Sequence, residues 1–337
     1  MATRAAPAAS TEAVTAIERP RRLRSLASLR DLVSGPDFRP SQLVAPLFVA
    51  ERSQRREDAG LPALKRRTVD AAVREVGRLR AHGVRSVLLF GIPSRKDSLG
   101  SSAWDPRGPV PRAIRAIKKD HPDVTVMADV CLCEYTDHGH CGVVVRGRID
   151  NDRTLPLLGR VAVSYADAGA DLVAPSAMMD HQVAALRSAL DRSGHIEVGI
   201  LAYAAKFASS LYGPFRDTAG STPGFGNRLD YQMDRRSRSE ALRELRLDAE
   251  EGADILMVKP ALPYLDVIAA ARSVFDRPIA AFQVSGEYAM IKAAAARGWL
   301  DEHEAARETL GAIHRAGASC IISYFAGELG RPEEKAR

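Results

Sequence analysis

Three cysteines fall within eleven residues of the 337-residue chain, in the string CLCEYTDHGHC that runs from Cys131 to Cys141. Thiolates are soft ligands that bind zinc well, but structural zinc sites use C-x₂-C pairs and four protein ligands. Here the first pair is C-x-C, and seven residues separate Cys133 from Cys141. Three thiolates without a fourth leave a coordination position open to water or substrate, the pattern of a catalytic zinc. His138 and His140 lie in the same stretch and could close the site as a further ligand. The bland alternative is three buried, unligated thiols.

Two lysines end apolar runs. Lys206 follows EVGILAYAA, and Lys259 closes ADILMVK. Burial and a second nearby ammonium both disfavour the charged amine. A neutral amine at pH 7 is what Schiff-base chemistry with a carbonyl requires. One such lysine reads as a solvated strand end or the partner of an acid. Two at neighbouring strand ends turn the reading toward imine chemistry.

Between Lys206 and Arg236 the chain has little periodicity and carries Gly213, Gly220, Gly224 and Gly226 with Pro214 and Pro223. Connections this long inside a compact domain are usually functional lids. This one holds Arg216, Arg228 and Gln232, with Tyr212, Phe215 and Tyr231. Guanidinium forks match a substrate carboxylate, although solvated loop arginines are the simpler reading of each alone. No nucleophile elbow stands out, since Ser176 is not in a Gly-x-Ser-x-Gly turn.

Something must hold these groups at one place. Eight short apolar runs recur, at 43–50, 86–92, 125–132, 170–177, 197–205, 253–260, 279–286 and 319–326. Their continuous apolar character suits parallel strands buried on both faces. Segments with helical spacing lie between them, at 68–83, 156–170, 239–253, 264–275 and 301–318. Several close on a glycine placed to take a left-handed cap conformation. The alternation predicts an α/β chain folded as a (β/α)₈ TIM barrel. A doubly wound open sheet would carry a Gly-rich phosphate loop after an early strand, and none is present. In a barrel, active sites lie at the C-terminal strand ends. Those ends supply Asp129, the cysteines, Ser176, Lys206, Lys259, Ser285 and Tyr324.

Residues 1–40 read as an extended N-terminal arm with one amphipathic piece, LRSLASLRDLV, whose Leu23, Leu26, Leu29 and Leu32 argue that it docks somewhere, another subunit being one candidate, with a frayed tail as the bland alternative. Residues 41–337 form the catalytic barrel, with 207–236 as its lid.

Lys plus Arg is 48 and Asp plus Glu is 42, a net charge of +6. Much of the excess lies in Arg19, Arg21, Arg22, Arg24 and Arg30, and in Arg52, Arg55 and Arg56. With aromatics at 6% and no basic stripe interleaved with them, nucleic-acid binding is not expected. No apolar stretch is long enough for a membrane span. Four cysteines, three of them crowded together, make a poor disulfide framework, and the first fifteen residues lack the apolar core of a secretory signal. The expected compartment is the cytoplasm.

Longer strings carry a resemblance. LLFGIP, DVCLCEYTDHGHCG, AKFASSLYGPFRD, MVKPALPYLD, QVSGEYAMIKAAA and the terminal RAGAS-IISYFA pattern occur in the order found in the porphobilinogen synthase (5-aminolevulinate dehydratase) family. The resemblance runs from about Arg21 to Ala326. It implies a lyase of haem (tetrapyrrole) biosynthesis that condenses two 5-aminolevulinate molecules asymmetrically to porphobilinogen, with loss of two waters. It also implies a TIM barrel whose N-terminal arm embraces a neighbour in a homo-octamer. By the same resemblance, Lys259 forms the Schiff base with the first-bound substrate and Lys206 holds the second. Ser285 and Tyr324 match the grip on the first carboxylate, and Arg216, Arg228 and Gln232 the grip on the second. Asp129 and Ser176 match residues lining the reaction centre. Cys131, Cys133 and Cys141 match the zinc-dependent subgroup. Glu244 matches a position where bacterial members bind an allosteric magnesium, with a solvated helix face as the alternative.

The chain departs from the family's PSDMMDG string, having PSAMMDH with Ala177 and His181. A cysteine that holds a peripheral metal in animal members is Asp230 here, so that second zinc is not expected. A class I aldolase would share the barrel and one Schiff-base lysine, but would need neither the cysteine cluster nor the second lysine. A zinc-stabilised binding module would need a fourth ligand and no lysine pair.

Overall fold

The computed structural model describes residues 18–51 and 61–329. Arg52, Arg55 and Arg56, and the first fifteen residues, lie outside them. The chain divides into two compact units, Met1–Asp37 and Phe38–Arg337. In the first, a 3₁₀ turn over Pro20–Arg24 precedes helix α1 (Ala27–Val33), and neither buries a residue.

The second unit is built on eight parallel strands. They are β1 (Leu43–Ala50), β2 (Ser86–Ile92), β3 (Thr125–Val130), β4 (Leu172–Pro175), β5 (Gly199–Lys206), β6 (Ile255–Lys259), β7 (Ile279–Gln283) and β8 (Cys320–Ser323). Each pairs with the next, and β8 pairs with β1 through Leu43↔Ile321 and Val44↔Ile322, so the sheet closes. All eight expected runs are strands of this (β/α)₈ barrel. Every residue of β1 is buried, which is why it reads LVAPLFVA without alternation.

The helices of this unit are α2 (Val69–Ala81), α3 (Pro109–Asp120), α4 (Asn151–Asp167), α5 (Gln182–Arg192), α6 (Gly213–Ala219) and α7 (Arg238–Glu250). The last four are α8 (Leu265–Val274), α9 (Ser285–Ala295), α10 (Glu302–Arg315) and α11 (Ala326–Leu329). Side-chain N-caps start several of them: Thr68 on α2, Asp150 on α4, Ser237 on α7 and Asp301 on α10. Past the ends of α7 and α10, Gly252 (φ 102°) and Gly317 (φ 118°) take the left-handed turn back to the sheet.

The segment after β5 is more structured than its sequence suggests. It forms a 3₁₀ turn over Ser210–Tyr212 and then α6, which Pro214 opens and left-handed Gly220 (φ 60°) closes. A seven-residue helix is too short to show a period.

The barrel interior under the mouth is aromatic. The Phe48 and Phe90 rings lie 5.5 Å apart, and Tyr203 and Phe282 lie 6.4 Å apart. Fully burying such a ring is worth about 1.5–3 kcal/mol. Phe215 of α6 comes down on this floor, 5.4 Å from Phe48 and 5.0 Å from Phe90.

Candidate active site

The two lysines are partners in the β5–β6 register, Lys206↔Lys259, beyond an irregularity between Ala202 and Ala205. Both are buried, at 7% and 5% exposure. Lys206 Nζ donates to the Ser176 carbonyl at 2.5 Å. Lys259 Nζ sits in a cage of rings, 3.9 Å from the centroid of Phe282, 4.9 Å from Tyr203, 5.2 Å from Phe215 and 5.5 Å from Tyr212. Burial, and then the Lys206 ammonium, push the Lys259 amine down from 10.5 to about 7. The Tyr212 hydroxyl donates to the carbonyls of Phe207 (2.7 Å) and Lys259 (3.3 Å), tying the lid to both strand ends.

Asp129 ends β3 in the same mouth. Its Oδ2 accepts from Ser176 Oγ at 3.0 Å, and burial followed by the Glu134 carboxyl raises it to about 7. Its Oδ1 has no hydrogen-bond partner among the described residues.

The three cysteines converge just beyond β3. They are buried, and their sulfur atoms all lie within 4.8 Å of one another. Cys131 Sγ and Cys133 Sγ are 3.4 Å apart. Hydrogen bonds from those two thiols hold Cys141 well below the usual thiol range. A compact set of soft, buried donors is what a zinc ion requires, so the residues fit one. The histidines are engaged elsewhere. His138 contacts the Ser98 carbonyl through Nε2 and accepts from His140 N through Nδ1. His140 contacts Tyr231 Oη (3.0 Å) and the Phe225 carbonyl (2.9 Å). The His140 ring thus ties the cysteine loop to the 207–236 segment, and the His138 ring ties it to the loop after β2.

Further ties make the same connection. Gly224 N donates to the His138 carbonyl, and Arg228 donates to the carbonyls of Gly139 (2.9 Å) and Ser221 (2.5 Å). Burial alone would pull Arg228 down, but the Cys141 and Cys133 thiols outweigh it and hold the guanidinium charged. Arg216 Nε, Arg228 Nε and both amide atoms of Gln232 are buried with no hydrogen-bond partner among the described residues. Each such group costs about 1–3 kcal/mol if left unmade. Two neighbouring guanidiniums with orphaned donors are the signature of an anion site. Burial and the Arg228 charge lower Arg216 accordingly.

Ser285 opens α9, where its hydroxyl accepts from Phe215 N (3.0 Å) and contacts the Leu211 carbonyl (3.4 Å). Tyr324 is buried 6.1 Å from the Phe282 ring. Glu244 is not brought to this mouth. It lines a groove of about 660 Å³ with Asp180, Asp230, Asp234, Glu240 and Asp248, which Tyr231 and Gln232 also line. Burial, then Asp180, raise its carboxyl. In the departure from the family string, Ala177 is fully buried, and His181 adopts φ 63° with Nδ1 3.0 Å from Glu251 Oε1.

Sequence reasoning missed two buried polar groups here. Glu287 accepts from Val284 N (2.5 Å) and Leu262 N (2.6 Å), joining the start of α9 to the turn after Lys259. Its place as the third residue of α9 was the available signal. Tyr203 stands under both amines, and nothing in a continuous apolar run marks which way it points.

Comparison with known proteins agrees with this geometry. The family model for delta-aminolevulinic acid dehydratase matches residues 17–331. Delta-aminolevulinic acid dehydratase of Halalkalibacterium halodurans is 49% identical over 93% of this chain and 96% of its own length. That of Archaeoglobus fulgidus is 51% identical over 92% and 96%, and that of Bacillus subtilis 47% over 93% and 97%. A crystal structure of the Toxoplasma gondii enzyme, delta-aminolevulinic acid dehydratase (porphobilinogen synthase) with its reaction product porphobilinogen, superposes with a TM-score of 0.91. It is 43% identical, covering 93% of this chain and 91% of that one.

Proposed function

The chain belongs to the delta-aminolevulinic acid dehydratase family of lyases, and from that premise we propose that its mouth condenses two 5-aminolevulinate molecules to porphobilinogen through two lysine Schiff bases. The observation that carries the lysine chemistry is the Lys206↔Lys259 register pair inside a buried aromatic mouth. With its amine held near 7, Lys259 is substantially neutral at physiological pH and attacks the first substrate's carbonyl carbon. Lys206 engages the second. Ser285 and Tyr324 grip the first carboxylate. Arg216, Arg228 and Gln232, whose orphaned donors support the reading, grip the second. Asp129 and Ser176 line the centre, while Tyr212 and Phe215 of the lid exclude water above Lys259.

Cys131, Cys133 and Cys141 would hold zinc. Bound there, the ion supplies Lewis acidity toward the second substrate's amine or carbonyl. Glu244 is assigned to an activating magnesium, since the carboxylates that share its groove are the hard oxygen donors that cation prefers. Four unpaired cysteines suit a reducing compartment, so we place the enzyme in the cytoplasm. No helix among the described residues is long and apolar enough to cross a membrane. The assembly is read as a homo-octamer linked by the N-terminal arms.

Borohydride reduction in the presence of 5-aminolevulinate tests the lysine assignment. The expected result is a stable mass adduct that maps to Lys259, with Lys259→Ala folded but without detectable pyrrole product. Normal turnover by Lys259→Ala would overturn it.

A further inference from the structure

We propose that the Tyr203 hydroxyl is a further catalytic group of this mouth, relaying the proton that moves between nitrogen and oxygen as an imine forms. The proposal rests on the lysine reading above and goes beyond it. Tyr203 lies on β5, fully buried, with its ring 4.9 Å from Lys259 Nζ and 5.4 Å from Lys206 Nζ. Its hydroxyl faces the Asp129 carboxyl, with which it interacts without forming a close hydrogen bond. The hydroxyl and the Asp129 carboxyl therefore stand together beside both amines, where a proton must move as an imine forms. Burial and the Asp129 carboxyl beside it raise its pKa well above that of a free phenol, so it holds its proton at working pH.

The chemistry balances with no outside reagent. The lysine nitrogen forms a bond to the carbonyl carbon, and the oxygen takes up a proton. The C–O bond then breaks with its electron pair on oxygen, which leaves as water after accepting a second proton. Both protons originate on the nitrogen. The phenol bridges the gap by passing its proton to the oxygen and recovering one from the nitrogen.

Tyr203→Phe removes only that oxygen. The metal-loaded full-length enzyme is mixed with 5-aminolevulinate and quenched with borohydride at successive times, and the Lys259 adduct is read by mass. The expected result is an approach to equilibrium at least tenfold slower than in the parent, with an unchanged end point. Turnover falls in proportion while KM stays within about twofold. A merely structural defect would lower the end point as well, because a relay changes rates and not equilibria. Parent-like trapping rates would overturn the proposal, and so would a lowered end point. If the parent itself gives no adduct on either lysine, the Schiff-base reading falls first and this inference with it.

Discussion

At the scale of single residues, the site works by placing like charges together where water cannot screen them. Lys259 faces the Lys206 ammonium, the carboxyls of Asp129, Glu134 and Glu287, and the Cys133 thiol. Burial dominates, and the net effect is an amine that releases its proton near 7 rather than 10.5. The neutral fraction then climbs from roughly one-tenth at pH 6 to roughly nine-tenths at pH 8. We expect the rate of borohydride-trapped adduct formation at Lys259 to follow that curve. Lys206→Met, which deletes the second-largest cause, should move its midpoint upward. An unmoved midpoint would show that the strand-pair neighbour is not what holds the amine down. The same shift has a sign for stability. The unfolded amine keeps a proton up to about 10.5 that the folded one releases near 7. Its penalty is therefore full below about 7 and fades as pH rises toward 10.5. The cysteines make a separate claim. Stripping metal with a strong chelator under reducing conditions should abolish activity, with zinc restoring it and magnesium alone failing. Full activity in protein with no zinc detectable by elemental analysis would refute the assignment.

At the scale of elements, the 207–236 segment is docked, and cations of the barrel help to hold it. The carbonyls at the end of α6 are capped from the barrel side: Arg66 donates to Thr218 (2.7 Å) and Lys96 to Gly220 (2.6 Å). Positive charge at a helix C-terminus is favourable. Gly286 at the start of α9 lets the Leu211 backbone approach so closely that a Cβ there would meet its carbonyl oxygen at 2.6 Å. These contacts hold Phe215 over Lys259 and Arg216 beside Tyr212. Arg216→Ala should raise the apparent KM at least tenfold with a smaller change in kcat, because a carboxylate contact made in ground state and transition state alike is uniform binding. An unchanged KM would remove Arg216 from the carboxylate grip. Elements also explain what the sequence did and did not disclose. The strands were legible because burial on both faces leaves an uninterrupted apolar run. Helix α3 was not, since Pro109 and Pro111 read as breakers although proline is suited to a first helical turn. Helix α9 was hidden because its first residues extend the apolar run of β7 and it is apolar on nearly all sides, without a stripe to mark it. Lysines and cysteines were legible because each ends a run. Tyr203 was not, because a strand buried on both faces does not alternate.

At the scale of the whole molecule, the two units differ in what they can bury. The hydrophobic core lies within Phe38–Arg337, where Leu43, Phe48, Leu88, Ile200, Leu256 and Ile321 are all fully covered. In the N-terminal unit Leu23, Leu26, Leu32 and Val33 remain 51%, 58%, 79% and 53% exposed. A seven-residue helix is far below the length at which a helix is stable alone in water. Four large apolar side chains left in water forgo a few kcal/mol in total at about 25 cal/mol per Å². A partner surface would cover them, and on the homo-octamer reading proposed above a second copy of the chain supplies one by symmetry. Deleting residues 1–37 should leave the barrel folded, with the far-UV spectrum reduced only slightly and the Lys259 adduct still formed, because no strand and no site residue is lost. The particle mass should fall from the full assembly to a smaller one, read by light scattering at matched protein and zinc concentrations. An unchanged mass would show that contacts among barrels alone build the assembly. A barrel that no longer folds would show that the arm supports its own subunit rather than a neighbour's.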